Sequence, residues 1–215
     1  MRRQIQFSGA LFCCLLLGGC ATSRSVLDIP TPVSEKITQA NGKDVYINST
    51  SDKRIFESNP ASPEIPSLDP SEDQSDAIRT RSIARKRNGF GKALGDILLK
   101  EGQSVESLTK ASIRQAFIEK GYRVIDTKTQ ITSDTYIVDA EISKFWSWIN
   151  PGFFALTLST EISTPLTVKS PDGVDKKTIN VKASDSYQTG AEGNWVEVIN
   201  KALRAYIDDL KTKLK

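Results

Sequence analysis

Between residues 136 and 183, apolar and polar side chains alternate through three successive segments, and a chain written that way can bury only one face of a sheet. Tyr136, Val138, Ala140, Ile142, Trp146 and Trp148 interleave with Asp139, Glu141 and Ser143. Phe154, Leu156, Leu158, Ile162, Leu166 and Val168 interleave with Thr157, Ser159, Glu161 and Ser163, and Ile179, Val181 and Ala183 with Asn180 and Lys182. Successive strand residues point to opposite faces, so this period predicts an antiparallel meander with one dry and one wet side. The breaks, Asn150-Pro151-Gly152 and Ser170-Pro171-Asp172-Gly173, carry turn residues. Pro165 has no N–H to give to a ladder, which predicts a bulge or an edge at that point.

The same parity sets registers. Val181 is expected opposite Ile162 and Ala183 opposite Thr160, across a loop at 170–173, because a one-residue slip would bury Thr178, Asn180 and Lys182. In the first hairpin, Trp146 facing Leu156 and Trp148 facing Phe154 keeps the tryptophans in the core. Phe145, Ile149 and Phe153 then point away from it, as an apolar patch that is the candidate partner-binding spot. The competing expectation is that the segment 57–76 or 77–100 folds over that patch and covers it.

Two helices flank the meander. One spans about 104–120, with Val105, Leu108, Ala111, Ser112, Ala116 and Phe117 along one side and Gly121 as its stop. The other spans about 195–213, where Val196, Ile199, Leu203, Ile207, Leu210 and Leu214 keep helical spacing. Asn194 with Glu197 reads as its capping box, and Lys211, Lys213 and Lys215 complement its dipole. A strand is expected at 44–48 with Val45 and Ile47 inward, and a short one at 122–125. Residues 57–76 read as a long Pro-rich loop, and 77–100 as weakly helical with a Gly-rich interruption. The economical packing is an α+β two-layer sandwich, with two helices on one face of a mostly antiparallel sheet.

The N-terminus is of a different kind. Arg2 and Arg3 precede an apolar run from Phe7 to Leu17, too short for a bilayer span and of signal-peptide length. Leu17-Gly18-Gly19-Cys20 follows and resembles the lipobox of bacterial lipoproteins, in which the cysteine receives a diacylglycerol before cleavage. The expected organisation is a signal peptide at 1–19, a lipidated Cys20 and flexible tether over 20–42, and a single periplasmic domain over 43–215. Two acyl chains already anchor stably. Ala21, where inner-membrane lipoproteins of enteric bacteria often carry Asp, implies the periplasmic face of the outer membrane in a Gram-negative bacterium.

Composition then narrows the chemistry. The chain has no histidine, and its three cysteines all lie in the first twenty residues, so the body has no His base, His ligand, zinc site or disulfide. Without Arg2 and Arg3 it carries 27 basic against 26 acidic residues, a balance that argues against nucleic acid as a partner. Ser107-Leu108-Thr109-Lys110 fits S-x-x-K but lacks the accompanying motifs of penicillin-binding proteins. Gly89 to Gly95 meets no phosphate-loop pattern, so no nucleotide is expected. Asp139 and Glu141, two apart on one strand, have the spacing of paired acids but occupy ordinary wet positions. Arg79, Arg81, Arg85, Lys86 and Arg87 form a dense basic stretch, a candidate contact for anions unless it folds back on Asp69, Glu72, Asp73 and Asp76.

The lipobox, the first strand, a helix ending in Gly121-Tyr122-Arg123-Val124, the polar-alternating meander and the C-terminal amphipathic helix together resemble the YajG group of bacterial lipoproteins over about 43–214. The resemblance implies an outer-membrane location and the sandwich fold, and brings no catalytic residues or cofactor. The chain departs from it in the Pro-rich insertion at 57–76 and the basic stretch after it. The reading is a non-enzymatic envelope adaptor or assembly factor without cofactors, anchored through Cys20 and binding an envelope protein. The alternatives are a lipid- or glycan-binding module and, more distantly, a cell-wall hydrolase.

Overall fold

The computed structural model describes residues 24–33, 40–88 and 91–214, so the signal segment and Cys20 lie outside the described residues. Nine strands and three α-helices run in the order β1 (Ser25–Leu27), β2 (Asp44–Asp52), α1 (Asp76–Arg79), β3 (Ser82–Arg87), β4 (Ala93–Leu99), α2 (Val105–Glu119), β5 (Arg123–Ile125), β6 (Tyr136–Ile142), β7 (Lys144–Pro151), β8 (Leu156–Ser170), β9 (Gly173–Tyr187) and α3 (Glu192–Lys213) among the described residues.

β8 is the spine. β9 pairs along its full length, with Ile162 opposite Val181 and Thr160 opposite Ala183 as parity requires, and Ser170 pairs with Gly173 across a tight two-residue turn. On the other edge β8 is shared: β7 pairs with 156–163 and β6 with 166–169. The two short strands are one bent run, because residues 141–143 face only 164 and 165. Both the N–H and the hydroxyl of Ser143 donate to the Ser163 carbonyl, at 3.0 and 3.1 Å. Pro165 therefore falls opposite a bulge, where a missing N–H interrupts nothing.

At that bulge the sheet forks. One wing continues β7–β3–β4–β1 and the other β6–β2–β5. Four of the pairings are parallel, β1 with β4, β2 with β5, β2 with β6 and β3 with β7. The sheet is mixed and curled into a half-barrel, which overturns the expected two-layer sandwich with a mostly antiparallel sheet. The reason lies at 77–100. That segment is a β-hairpin, β3 and β4, preceded by one helical turn, and β3 reads as an unbroken buried run because both of its faces are covered. Periodicity cannot separate such a run from a helix. The stretch assigned to the tether also contributes to the fold: β1 pairs with β4, and Ile29 is fully buried.

α2 and α3 pack with one face of the sheet in a common core. Phe117 and Ile113 of α2 and Trp195, Tyr206 and Ile207 of α3 join Val45, Ile142, Phe145 and Ile162 there. α2 is fixed at its start by a reciprocal cap between Ser104 and Ser107 and at its end by Gly121 at φ +91°, a conformation that favours glycine. α3 begins earlier than the sequence suggests. Its first residue is Glu192, Ala191 gives it no side-chain cap, and Asn194 lies inside the helix, donating to the Thr189 carbonyl at 2.8 Å. Glu119, at the end of α2, ties the helices together by accepting from Arg204 at 2.7 and 2.6 Å and from Lys211 at 2.7 Å. Those donors hold its carboxyl at about 2.

The opposite face of the β7–β3–β4 wing is also dry. The Pro-rich segment lies over it, with Trp146 donating from Nε1 to the Pro63 carbonyl at 3.0 Å and meeting Phe56 edge-on at 6.0 Å. Leu68, within that segment, is itself buried. Arg85 donates to the Leu68 carbonyl at 2.9 Å, and the Asp69 N–H reaches both oxygens of Asp96 at 3.2 Å. Burial pushes the Asp96 carboxyl up, against the pull of the Asp69 N–H, Arg24 and Arg85.

Candidate functional site

The first-hairpin register decides what became of the expected patch. Trp146 pairs with Glu161, Trp148 with Ser159 and Ile149 with Leu158, a shift of five residues from the anticipated pairing. An odd shift turns every side chain over. Phe145 is thus fully buried in the core, and Ile149 is half-buried against it. Trp146 lies instead under the Pro-rich cover, and Trp148, two residues on, is buried with Lys182 at 4.8 Å from its ring. Phe153 stays exposed, next to Phe154 at the hairpin tip. The three residues Phe145, Ile149 and Phe153 form no common surface.

The basic stretch is dispersed as well. Arg79 donates to the Gln74 carbonyl at 3.0 Å and lies over Phe56, and Arg81 donates to the Leu99 carbonyl at 2.8 Å. Arg85 is buried between Asp69 and Asp96. Lys86 and Arg87 alone remain together, at the end of β3, where Lys86 donates to the Ser25 hydroxyl at 3.2 Å. Burial and the neighbouring Arg85 pull the Arg87 guanidinium pKa down, and its Nε has no hydrogen-bond partner among the described residues.

The remaining motifs resolve into scaffolding. Ser107 of the S-x-x-K sequence is the capping partner of Ser104. Asp139 accepts from Ser49 and Asn48, both at 2.6 Å, and the Ser49 hydroxyl chiefly holds its carboxyl below the ordinary range. An acid kept ionised in this way is unsuited to protonate a leaving group.

Lys86 and Arg87 border a hollow that combines an apolar floor with a charged rim. It has a volume of about 360 Å³ and lies between the β3–β4 hairpin and the start of α3. Leu94, Ile149 and Trp195 make its apolar floor, and Gly190, Ala191 and Glu192 its far wall. The Trp195 indole is fixed by donating to the Gly190 carbonyl at 3.2 Å. Gly190 keeps the wall thin, since a Cβ there would stand 3.9 Å from Ile149 and 4.0 Å from the Trp195 nitrogen. An apolar floor beside two cations and a helix start without a side-chain cap suits a group with an apolar body and an anionic or hydroxylated end. Sequence reasoning missed the groove because it depends on α3 starting at Glu192 and on β3 being a strand. The adjacency of Lys86 and Arg87 was the one legible sign.

No protein-family model matches the chain, and no curated protein matches it. Among solved structures, the chain resembles an uncharacterized protein at 9% identity and TM-score 0.49, over 90% of this chain and 99% of the other. It resembles a minor lipoprotein from Acinetobacter baumannii at 11% identity and TM-score 0.32, over 48% of this chain and 83% of that one. It also resembles the hypothetical protein CT253 from Chlamydia trachomatis at 14% identity and TM-score 0.30, over 79% and 96% of the two chains.

Proposed function

We propose that this chain is a non-enzymatic, lipid-anchored envelope protein of a Gram-negative bacterium, held through acyl chains on Cys20 at the periplasmic face of the outer membrane and binding another envelope component. The observation that carries the binding reading is the groove over Leu94, Ile149 and Trp195, with Lys86 and Arg87 on its border. A protein partner would seat an apolar side chain on the floor and an acidic group against the cations. A second reading, a lipid or glycan ligand, is favoured by the groove's place near Ser25, five residues from Cys20, on the side where an anchored chain meets its bilayer.

Native mass spectrometry of the full chain purified from its host membranes separates the two. A co-purifying protein lost from a Lys86→Glu, Arg87→Glu variant supports the adaptor. A bound small molecule lost from that variant supports the ligand module. Retention of either by the variant moves binding away from this groove.

A further inference from the structure

The β7–β8 turn ends in two phenylalanines where turns normally carry Gly, Asn, Asp or Pro. Gly152 N–H donates to the Ala155 carbonyl at 2.9 Å, leaving Phe153 and Phe154 as the two central residues. They are 93% and 85% exposed, and their rings meet edge-on at 4.6 Å. Gly152 is required for this shape, since a Cβ there would lie 2.5 Å from the Ala155 oxygen. Adjacent, edge-on and almost wholly solvated aromatic rings on a short turn form a surface that calls for an apolar partner.

The sheet places that turn at the same end as the start of β1, which follows Cys20 in sequence. Ser25 pairs with Ile97, Ile97 with Ala84, and Ala84 with Ser147, which sets these four residues in one row across β1, β4, β3 and β7. β1 runs opposite to β7, so Arg24, just before Ser25, lies toward the end to which β7 runs and where Phe153 follows six residues after Ser147. Three strand spacings separate β1 from β7, about 14 Å laterally. The four-residue step from Arg24 back to Cys20 reaches at most about 14 Å even fully extended. An acylated Cys20 therefore holds this end of the sheet close to the headgroups. Lys86, Arg87 and Lys92 flank the β3–β4 turn at the same end, which suits anionic lipid.

We infer that Phe153 and Phe154 are a second membrane contact, inserting into the leaflet that holds the acyl chains and fixing the body upright on the bilayer. The inference rests on acylation of Cys20 and deepens the anchoring reading from a point attachment to a defined orientation.

The test uses the full lipidated chain in vesicles of phosphatidylethanolamine and phosphatidylglycerol containing brominated lipid, whose bromines quench indole fluorescence within the leaflet. Phe154→Trp places an indole at the tip, and Asp172→Trp places one in the exposed β8–β9 turn at the far end of the 15-residue β8. The native Trp146, Trp148 and Trp195 are buried and serve as a common background. The expected result is about twofold quenching of the added indole in Phe154→Trp, with a blue-shifted emission, as for a side chain about 5–10 Å into the interface, and no quenching in Asp172→Trp. Equal, water-like emission from both would overturn the inference. The mass of the same preparation reads acylation separately. Acylated Cys20 with an unquenched tip keeps the anchor and loses the insertion. Unmodified Cys20 with a quenched tip keeps the insertion and loses the anchor, and failure of both readouts loses both.

Discussion

The guanidinium of Arg54 donates to the main-chain carbonyl of Phe145 at 2.9 Å, across the fork where β7 parts from β6. Its other N–H groups reach the Ser82 carbonyl at 2.6 Å, the Arg79 carbonyl at 2.7 Å and both oxygens of Asp52 at 2.9 and 2.8 Å. All five donors are used and the side chain is fully buried. A forking sheet leaves carbonyls without ladder partners, and a buried orphan costs about 1–3 kcal/mol. From the chain that leaves β2, Arg54 supplies partners to the sheet carbonyls of Phe145 and Ser82 and to that of Arg79 at the end of α1, and so joins the two wings.

Arg54→Ala should accordingly destabilise by about 3–5 kcal/mol, because it strands the partly buried Asp52 carboxylate and three carbonyls together. Arg54→Lys should recover little of the loss, since a point charge with three donors cannot serve five acceptors. Denaturant unfolding of the three chains measures both effects, and a lysine variant near wild-type stability would show that Arg54 does not join the wings through its five donors.

Acid sensitivity should concentrate at Glu119. Its carboxyl lies at about 2 in the folded chain against an ordinary 4.5. A depressed folded pKa means the contribution is complete above about 4.5 and is lost as pH falls toward about 2. The size of the shift corresponds to about 3 kcal/mol. Glu119→Gln should lower stability at neutral pH and flatten the pH dependence across that window, read from unfolding midpoints in a pH series.

Filling the groove should separate binding from folding. Gly190→Leu extends from a position where the first carbon meets only ordinary contacts, and its branched end occupies the space above Ile149 and Trp195. The expected outcome is loss of the co-purifying component with a melting temperature close to wild type. A variant that keeps its ligand places binding elsewhere.

The two phenylalanines once grouped by parity should now behave oppositely. Phe145→Ser removes a fully buried ring and should cost about 3–5 kcal/mol. Phe153→Ser alters a residue 93% exposed and should stay within about 0.5 kcal/mol. Melting curves of the single variants are sufficient.

Much of this fold was legible where one face is wet. The alternation at 156–183 set the β8–β9 register, and the helical spacing and Gly121 set α2. The failures share a cause. β7 is dry on both faces, so Phe145 and Trp146 are equally buried and parity has nothing polar to mark the outside. β3 suffers the same ambiguity, and the Pro-rich segment that dries both strands gives no local sign of where it will lie. Arg54 and Asp96 were invisible for a related reason: a buried charge is recognised by partners distant in sequence, here Phe145 and Asp69.

Envelope anchoring depends on acylation of Cys20, and the intact mass of the chain extracted from bacterial membranes tests it directly. Processing at the lipobox predicts a chain beginning at Cys20 and carrying acyl chains, with Cys20→Ser unprocessed and unacylated. A chain from wild-type membranes that lacks acyl mass, or begins at another residue, would contradict the anchoring on which the proposed function stands.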